Sequence, residues 1–570
     1  MSKNIYDNSN LAESYSGITT PLTFSFARYV YQEVYKSFCQ MMGVSQGTIK
    51  ANDDMFRQMV VFIGHRMYYD LINWYRLISF LPGYKFNRRF LEKMLGVQKE
   101  HDHDNGQRYG FWQRYFIDLS VMIWQFVKMI FTFIFMGVLV NNFNKKFDQI
   151  FEQSDKLDLK SFDLKRLRRI YLSLVKDLTT RWKVPIANDL AVMISTGIAD
   201  KLFKKWLQED NVYNHLRMQS HSSLISLDPG LEVIKISQKI KADSDLRELF
   251  KNSDENFVWD KLNSQFQDNK VSQIIFQYLK KFGSRSPNEL KLEAITLQES
   301  PQVFVSFLQK IVVSDRNNSN HVGSAGNIQT LDYKNCSVFK KALLKFIVKW
   351  SVNSIRRREE TRFKRTLIFG FARRVFLEMG DRLSQQNLLK SQRDIFYLKI
   401  GEIFSLIDKK MNREQVEKLI NQRQIAGDAW REIDLPRRIE TRKAICEKEK
   451  EFLHKISHSV DKTSLSGSVA SRIDQDIVSG TALVLTDFDP KADYVNKILV
   501  TRQTDPGWSI VFPLVKGIVV ERGGMLSHAA IVARELQIPC LVGVDKATKM
   551  IKNDTNISLN FSNGEIIYGQ

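Results

Sequence analysis

The chain changes its hydrophobic period once, and that change bounds the folds open to it. Up to about residue 460 apolar residues recur every three or four positions, as in SVFKKALLKFIVKWSVNSIRRREETRFKRTLIFGFARRVFLEMGDRL (Ser337–Leu383), the pattern of helices with one face turned to a core. DKTSLSGS (Asp461–Ser468) then has linker composition. Beyond it come short β-branched runs between turn residues: TALVLT (Thr481–Thr486), NKILVTR (Asn496–Arg502), VKGIVVE (Val515–Glu521), PCLVGV (Pro539–Val544) and GEIIYG (Gly564–Gly569). Glycine follows the same division, with 9 of the 27 glycines in the last 104 residues. The expected architecture is multidomain: a large, mostly α-helical domain over 1–460, a linker over 461–468 and a small α/β domain over 469–570. DIFYL (Asp394–Leu398) interrupts the helical pattern and reads as a strand or an extended connection.

Composition narrows the partners. The net charge is +21, but 74 Lys+Arg against 52 Asp+Glu precede Gly467, whereas the remainder holds 10 against 11. The basic surplus is therefore helical, interleaved with apolar residues as in LKRLRRIYLSLVKDL (Leu164–Leu178), which describes solvated helix faces. No zinc-finger spacing or aromatic RNA-binding motif accompanies it, so nucleic acid is not an expected partner. Cys39, Cys336, Cys446 and Cys540 lie far apart, which suggests neither a disulfide framework nor a thiolate zinc site. That usage, with no secretory pattern at the N-terminus, fits a cytoplasmic setting. HDHD (His101–Asp104) projects its side chains in diverging directions, and His454 and His458 lack further ligands, so no metal site is expected. Leu119–Val140 is long enough to cross a bilayer only if Gln125 and Lys128 are tolerated. It reads as a buried helix or a wall of an apolar substrate pocket, and peripheral contact with a membrane is the rival reading.

ERGGMLSHAAIVARE (Glu521–Glu535) carries the chemistry. Gly523 and Gly524 open backbone paths closed to other residues and admit a bulky partner. Ser527 is a helix N-cap candidate, placing His528 in the first turn, where unpaired N–H groups and the helix dipole favour an added negative charge. A neutral imidazole nitrogen is a competent nucleophile toward phosphorus, and the N–P bond it forms can pass the phosphoryl group onward.

The string G-G-x-x-S-H-A-A-I-V-A-R-E, followed by LQIPCLVGV (Leu536–Val544), resembles the phosphohistidine signature of the PEP-utilising enzyme family, which includes pyruvate phosphate dikinase, PEP synthase and rifampicin phosphotransferase. TDPGW (Thr504–Trp508) and SRIDQDIVSGTA (Ser471–Ala482) are similar to other parts of that swivelling domain. ESYSGITTPLTFSF (Glu13–Phe26) and DIFYLKIGEI (Asp394–Ile403) resemble segments of the rifampicin phosphotransferase branch. The resemblance implies that His528 is the catalytic residue, supported around the phosphate by Gly523, Gly524, Ser527 and Arg534. It also implies a substrate-side R-E-x-x-K pattern, matched here by Arg358, Glu359 and Arg362 in RRREETRFKR (Arg356–Arg365), with arginine in place of lysine. Two cations at i,i+4 can clamp one phosphoryl group while the glutamate orients or accepts a proton. The rival reading is a solvated basic helix face.

Leu526 stands where dikinases of the family carry a regulatory threonine, so that regulation is not expected. The family's ATP-grasp domain and PEP-binding barrel find no counterpart in these residues, and no glycine-rich nucleotide loop is present. The resemblance therefore implies a phosphotransferase subunit that binds no cofactor itself. A separate ATP-grasp subunit would hold ATP and Mg²⁺ and charge His528, and the acceptor would be a small, apolar, hydroxyl-bearing substrate in the helical domain. A PEP synthase or dikinase-like component and a non-catalytic scaffold or membrane-surface protein are the alternatives.

Overall fold

The computed structural model describes residues 4–9, 11–80, 111–207, 228–285, 287–313, 337–431, 433, 435–441, 465–472, 476–524 and 527–568. Contacts divide the chain into two units, one of residues 1–11, 18–223 and 328–449, the other of residues 12–17, 224–327 and 450–570. This grouping differs from the division at 460 and 469 read from the sequence, because a block of helices in the middle of the chain packs with the C-terminal sheet. The HDHD segment, His454 and His458, residues 461–464 of the expected linker and Leu526 lie outside the described residues.

The first unit is dominated by helices whose starts follow local chemistry. Pro21 opens Pro21–Met41 at a position where its missing N–H costs nothing. The Asp163 carboxylate caps Leu164–Arg181 by accepting from the Arg166 N–H at 2.7 Å. Ser337 caps the 48-residue helix Val338–Gln385. The later half of that helix is covered on several sides, with Phe369, Phe371, Val375 and Phe376 all buried, so it loses a simple two-faced pattern. At Gly380 an added Cβ would stand 2.2 Å from the Gln392 carbonyl oxygen, which shows how closely the helix passes the turn that follows it.

That turn is where DIFYL belongs, and it is neither strand nor extended connection. Gln392–Tyr397 forms a 3₁₀ turn opened by a reciprocal cap: the Arg393 N–H donates to Ser391 Oγ at 3.1 Å and the Ser391 N–H to Asp394 Oδ2 at 3.0 Å. Burial of Ile395 and Phe396 beneath the long helix outweighs their strand propensity.

Among the described residues four short strands accompany these helices: β1 (Asn4–Asp7), β2 (Val60–Ile63), β3 (Arg66–Asp70) and β4 (Arg438–Thr441). They form an antiparallel sheet in the order β2-β3-β1-β4, joining the beginning of the chain to residue 441. Gly64 and His65 both take positive φ (53° and 55°), as a two-residue hairpin requires.

Leu119–Val140 is not the buried helix its composition suggests. Helices Phe111–Ile134 and Met136–Asp155 meet around Phe135 at a 67° bend, and among the described residues no single helix is long and apolar enough to cross a membrane. Ile123 and Ile134 are 56% and 67% exposed, while Gln125 and Thr132 are buried. The polar side faces inward because Gln125 packs over Gly43, whose left-handed backbone lets the two chains approach.

In the second unit the helices Asp228–Ala242, Ser244–Asn252, Glu255–Asn263, Lys270–Phe282 and Pro301–Val313 accompany eight strands. These are β5 (Leu465–Ser466), β6 (Ser468–Ser471), β7 (Ile477–Leu485), β8 (Ile498–Thr501), β9 (Gly517–Val520), β10 (Cys540–Val542), β11 (Asn556–Asn560) and β12 (Glu565–Tyr568). The order is β5-β12-β11-β7-β8-β9-β10-β6, with β7, β8, β9 and β10 parallel and the flanking pairs antiparallel. Val500, Val519, Leu541, Ile557 and Leu559 lie in its core. The end of the expected linker belongs to this sheet: Leu465 is buried and pairs with Ile566, since an apolar residue beside an open edge gains more from the ladder than from solvent.

Gly380→Val should lower thermal stability by about 2 kcal/mol, because the new side chain meets backbone rather than a movable side chain. Gly401→Ala, with nothing within 4 Å of the added atom, is the control and should not lower the melting midpoint.

Candidate functional site

All four residues of β9 are buried, and the strand delivers the chain to Glu521 at its end. The Glu521 carboxylate accepts from the Thr548 N–H at 2.7 Å and from the Thr548 hydroxyl, which fastens the start of the glycine turn. Gly523 has φ +126°, and an added Cβ would meet Ser527 Cβ at 2.8 Å and Oγ at 2.9 Å, so both conformation and space demand glycine there. Nothing stands within 4 Å of a Cβ at Gly524, which leaves that approach open. Ser527, buried and extended, accepts from the Ala530 N–H and caps His528–Glu535. Ala529, Ala530, Val532 and Ala533 are the buried face of this helix.

His528 is half-buried in its first turn. Thr504 Oγ1 lies 3.4 Å from its Nδ1, and the Phe512 ring lies 5.8 Å away between centroids at a 41° tilt. The imidazole is thus steered from one edge and packed on another, with the amide end of the helix beside it. Arg534 sits about 9 Å farther along the helix axis, at six residues of rise. Its Nε donates to the Ala470 carbonyl, fastening the helix to β6. Of the residues that the resemblance places around the phosphate, Gly523, Gly524 and Ser527 lie in the turn and cap that precede His528, and Arg534 lies in the last turn of the same helix.

Next to Thr504 is Asp505, which the sequence reading passed over. It is buried, Oδ1 accepts from the Gly507 N–H at 2.9 Å, and Oδ2 accepts from the Asn288 N–H at 2.6 Å. Burial pushes its carboxyl up to about 7, against those hydrogen bonds and Lys291 and with the help of Glu289. The charged pair Arg285 and Glu289 is buried close by. Packing extends this contact: Phe488 meets Trp508 edge-on at 5.2 Å, and Lys310 donates to the Pro490 and Ala492 carbonyls at 3.2 and 2.9 Å.

The first unit holds the other sequence-derived candidates. Arg358, Glu359 and Arg362 lie on Val338–Gln385, where Arg358 Nε is 3.2 Å from Asp189 Oδ1 and Arg362 Nη1 is 3.6 Å from Glu359 Oε1. The solvated-face alternative fails for Glu359, whose side chain is 13% exposed, and for Arg358, which is partly covered. Asp189, from Lys183–Trp206, is recessed: desolvation holds its carboxyl above the usual range although Arg358, Arg362 and Arg365 pull it down. Burial likewise raises the phenol of Tyr35, whose neighbours include Tyr31, Tyr69 and Asp189. Beside them the fully buried Asn188 donates to the Ser354 carbonyl at 2.9 Å. The sequence reading missed Asp189 and Tyr35. An Asn-Asp pair inside an otherwise apolar helix and tyrosines at i,i+4 were the available signals. Among the described residues no group of three or more His, Cys, Asp or Glu side chains is placed to hold a metal ion.

Comparison with known proteins bears on both centres. Residues 495–564 match the family model "PEP-utilising enzyme, mobile domain", which includes Thr504, Asp505 and His528. This chain carries the mobile domain of the PEP-utilising enzymes. Residues 186–359 match the rifampicin phosphotransferase fourth domain, which includes Asp189, Arg358 and Glu359. The rifampicin phosphotransferase of Bacillus cereus is 24% identical over 425 residues, 72% of this chain and 46% of that protein. The prodigiosin synthesizing transferase PigC of Serratia marcescens is 26% identical over 61% of this chain and 39% of its own length. The phosphoenolpyruvate synthase of Aquifex aeolicus is 45% identical, but over 93 residues, 16% of this chain and 11% of that protein. The chain spans less than half the length of the rifampicin phosphotransferases it matches.

Folding raises the Asp505 carboxyl from the ordinary 3.8 to about 7, so over that interval the native state holds a proton that the unfolded chain releases. Stability should therefore fall as pH rises from about 4 to about 7 and flatten above. In Asp505→Asn the difference in melting midpoint between pH 5 and pH 7.5 should shrink.

Proposed function

We propose that this chain is the phosphoryl-relay component of a phosphotransferase, with His528 carrying the group to a hydroxyl of a small, apolar substrate bound beside Arg358. The observation that carries the reading is the placement of His528 on a capped helix N-terminus behind a glycine turn, inside a mobile domain of the PEP-utilising type. Thr504 Oγ1 accepts from Nδ1–H in the tautomer that leaves the Nε2 lone pair for attack. Nε2 displaces the phosphoryl group from a nucleotide anhydride: one N–P bond forms, one P–O bond breaks, and the nucleotide side leaves with the bonding electrons. In this reading the nucleotide, with Mg²⁺, is held by an ATP-grasp module outside residues 1–570; AMP leaves as Nε2 takes the β-phosphorus, water cleaves the β–γ anhydride, and AMP and inorganic phosphate are the products of charging.

In the second half-reaction the acceptor oxygen attacks phosphorus, the N–P bond breaks, and the hydroxyl proton goes to a base. Asp189 is the base this reading assigns, because its recessed carboxyl stands among cations and has a raised proton affinity. Arg358 and Arg362 hold the phosphoryl oxygens, and Glu359 orients Arg362. The helices of residues 228–313 pack on the mobile domain through Asp505 and Lys310, so a swinging domain carries them with it or first releases those contacts.

A PEP synthase or dikinase-like role is the weaker alternative, since similarity to PEP synthase is confined to 93 residues whereas that to rifampicin phosphotransferase reaches 425. The test is intact-mass analysis after incubation with ATP, Mg²⁺ and lysate of the source cells. One acid-labile phosphoryl group should appear, be absent in His528→Ala and persist in Asp189→Asn and Arg358→Gln. Once an acceptor is found, the last two variants should slow transfer by about 100-fold. A mass that never changes, with PEP also tried as donor, would remove the relay and leave a scaffold.

A further inference from the structure

The helix that ends at Ile134 is inside out. Ile123, Val127, Ile130 and Ile134 follow one another on a single face at spacings of four, three and four, flanked by Trp124 and Phe131, and all six are exposed. Among the side chains described in this helix, residues 123–134, Gln125 and Thr132, seven residues apart on the opposite face, are the buried positions. A surface helix that faces water has the reverse arrangement. Past the bend, Phe135 and Val138 continue the apolar face onto Met136–Asp155. Phe133 meets Trp350 with ring centroids 6.1 Å apart, which brings the start of Val338–Gln385 alongside. There Val338 and Phe339 are 87% and 76% exposed, and Lys341, Lys345 and Lys349 form an exposed i,i+4 stripe beside Phe346.

We infer that this face lies on an anionic lipid bilayer, in the plane of the interface. Branched and aromatic side chains enter the boundary between headgroups and acyl chains, and the lysine stripe meets lipid phosphates. Lys128, whose ammonium stands 5.3 Å from the Trp124 ring centroid, packs its stem toward Gly43 at the margin of the face and can keep its charge among headgroups. Charge decides the occupant. The chain before Gly467 carries the whole basic surplus, 74 Lys+Arg against 52 Asp+Glu. A second copy seated symmetrically on the face would bring the same lysines toward one another, whereas a sheet of phosphates complements them. The bend of 67° lets both limbs lie along one surface. This contact stands independently of phosphoryl transfer.

The experiment is flotation of the full chain with phosphatidylcholine vesicles and with vesicles that also contain phosphatidylglycerol. Binding to the anionic vesicles is expected, weaker by at least tenfold on pure phosphatidylcholine or in high salt. Phe131→Glu/Phe135→Glu should abolish it, and Lys341→Glu/Lys345→Glu should weaken it about tenfold, each variant keeping the wild-type circular dichroism and melting midpoint. Absence of flotation with either vesicle overturns the inference, as does flotation that the phenylalanine substitutions leave unchanged. A dimer in light scattering that Phe131→Glu/Phe135→Glu dissociates, without vesicle binding, assigns the face to a second copy and overturns it too.

Discussion

The close approach of Ser527 to Gly523 decides where His528 stands. With the serine side chain occupying the space of a Cβ at residue 523, the chain can enter the helix along one path. Ser527 then caps the first turn, and Arg534 fastens the last one to the Ala470 carbonyl. The imidazole is therefore carried on a short rigid element tied at both ends, and Thr504 has a single ring nitrogen within reach. A phosphoryl carrier needs this kind of definition, because transfer in either direction depends on presenting one nitrogen to phosphorus in line with the leaving oxygen.

Polar groups placed inside apolar surroundings recur at the other positions that matter. Asp505 accepts a backbone N–H from the helical block at Asn288, so the loop beside the histidine is held by a contact that crosses from sheet to helices within its unit. Its raised proton affinity follows from burial, and the same holds for Asp189 among the arginines of the long helix. Desolvation strengthens every electrostatic interaction such groups make, which suits charge-transferring chemistry and leaves each dependent on its partner.

Much of this was legible in the sequence. The histidine turn could be read because its determinants are local: a left-handed glycine, a cap and a helix start fall within six residues, Gly523 to His528. The short β-branched runs from Thr481 onward were visible for the same reason, although β5, β6 and β11 were not singled out. Arg358 and Glu359 were found by pattern, but their partner Asp189 lies 169 positions earlier in the chain, and nothing in RREETR points to it. DIFYL has strand composition and became a 3₁₀ turn because a reciprocal cap and the covering helix were worth more than propensity. Leu119–Val140 was misread because composition states how apolar a segment is and not which way its faces turn.

The sequence by itself determined the fold class, the break between helical and strand-rich regions, and the glycine turn and cap that place His528 at a helix start. These depend on period, glycine placement and capping, interactions spanning a few residues. Only the tertiary structure decided that residues 228–313 pack with the C-terminal sheet, that Asp505 is buried against Asn288 and that Asp189 meets Arg358. It alone turned the Ile123–Ile134 face outward. Each of those outcomes rests on contacts between residues far apart in the chain, where burial and desolvation are set by what else arrives at the same place.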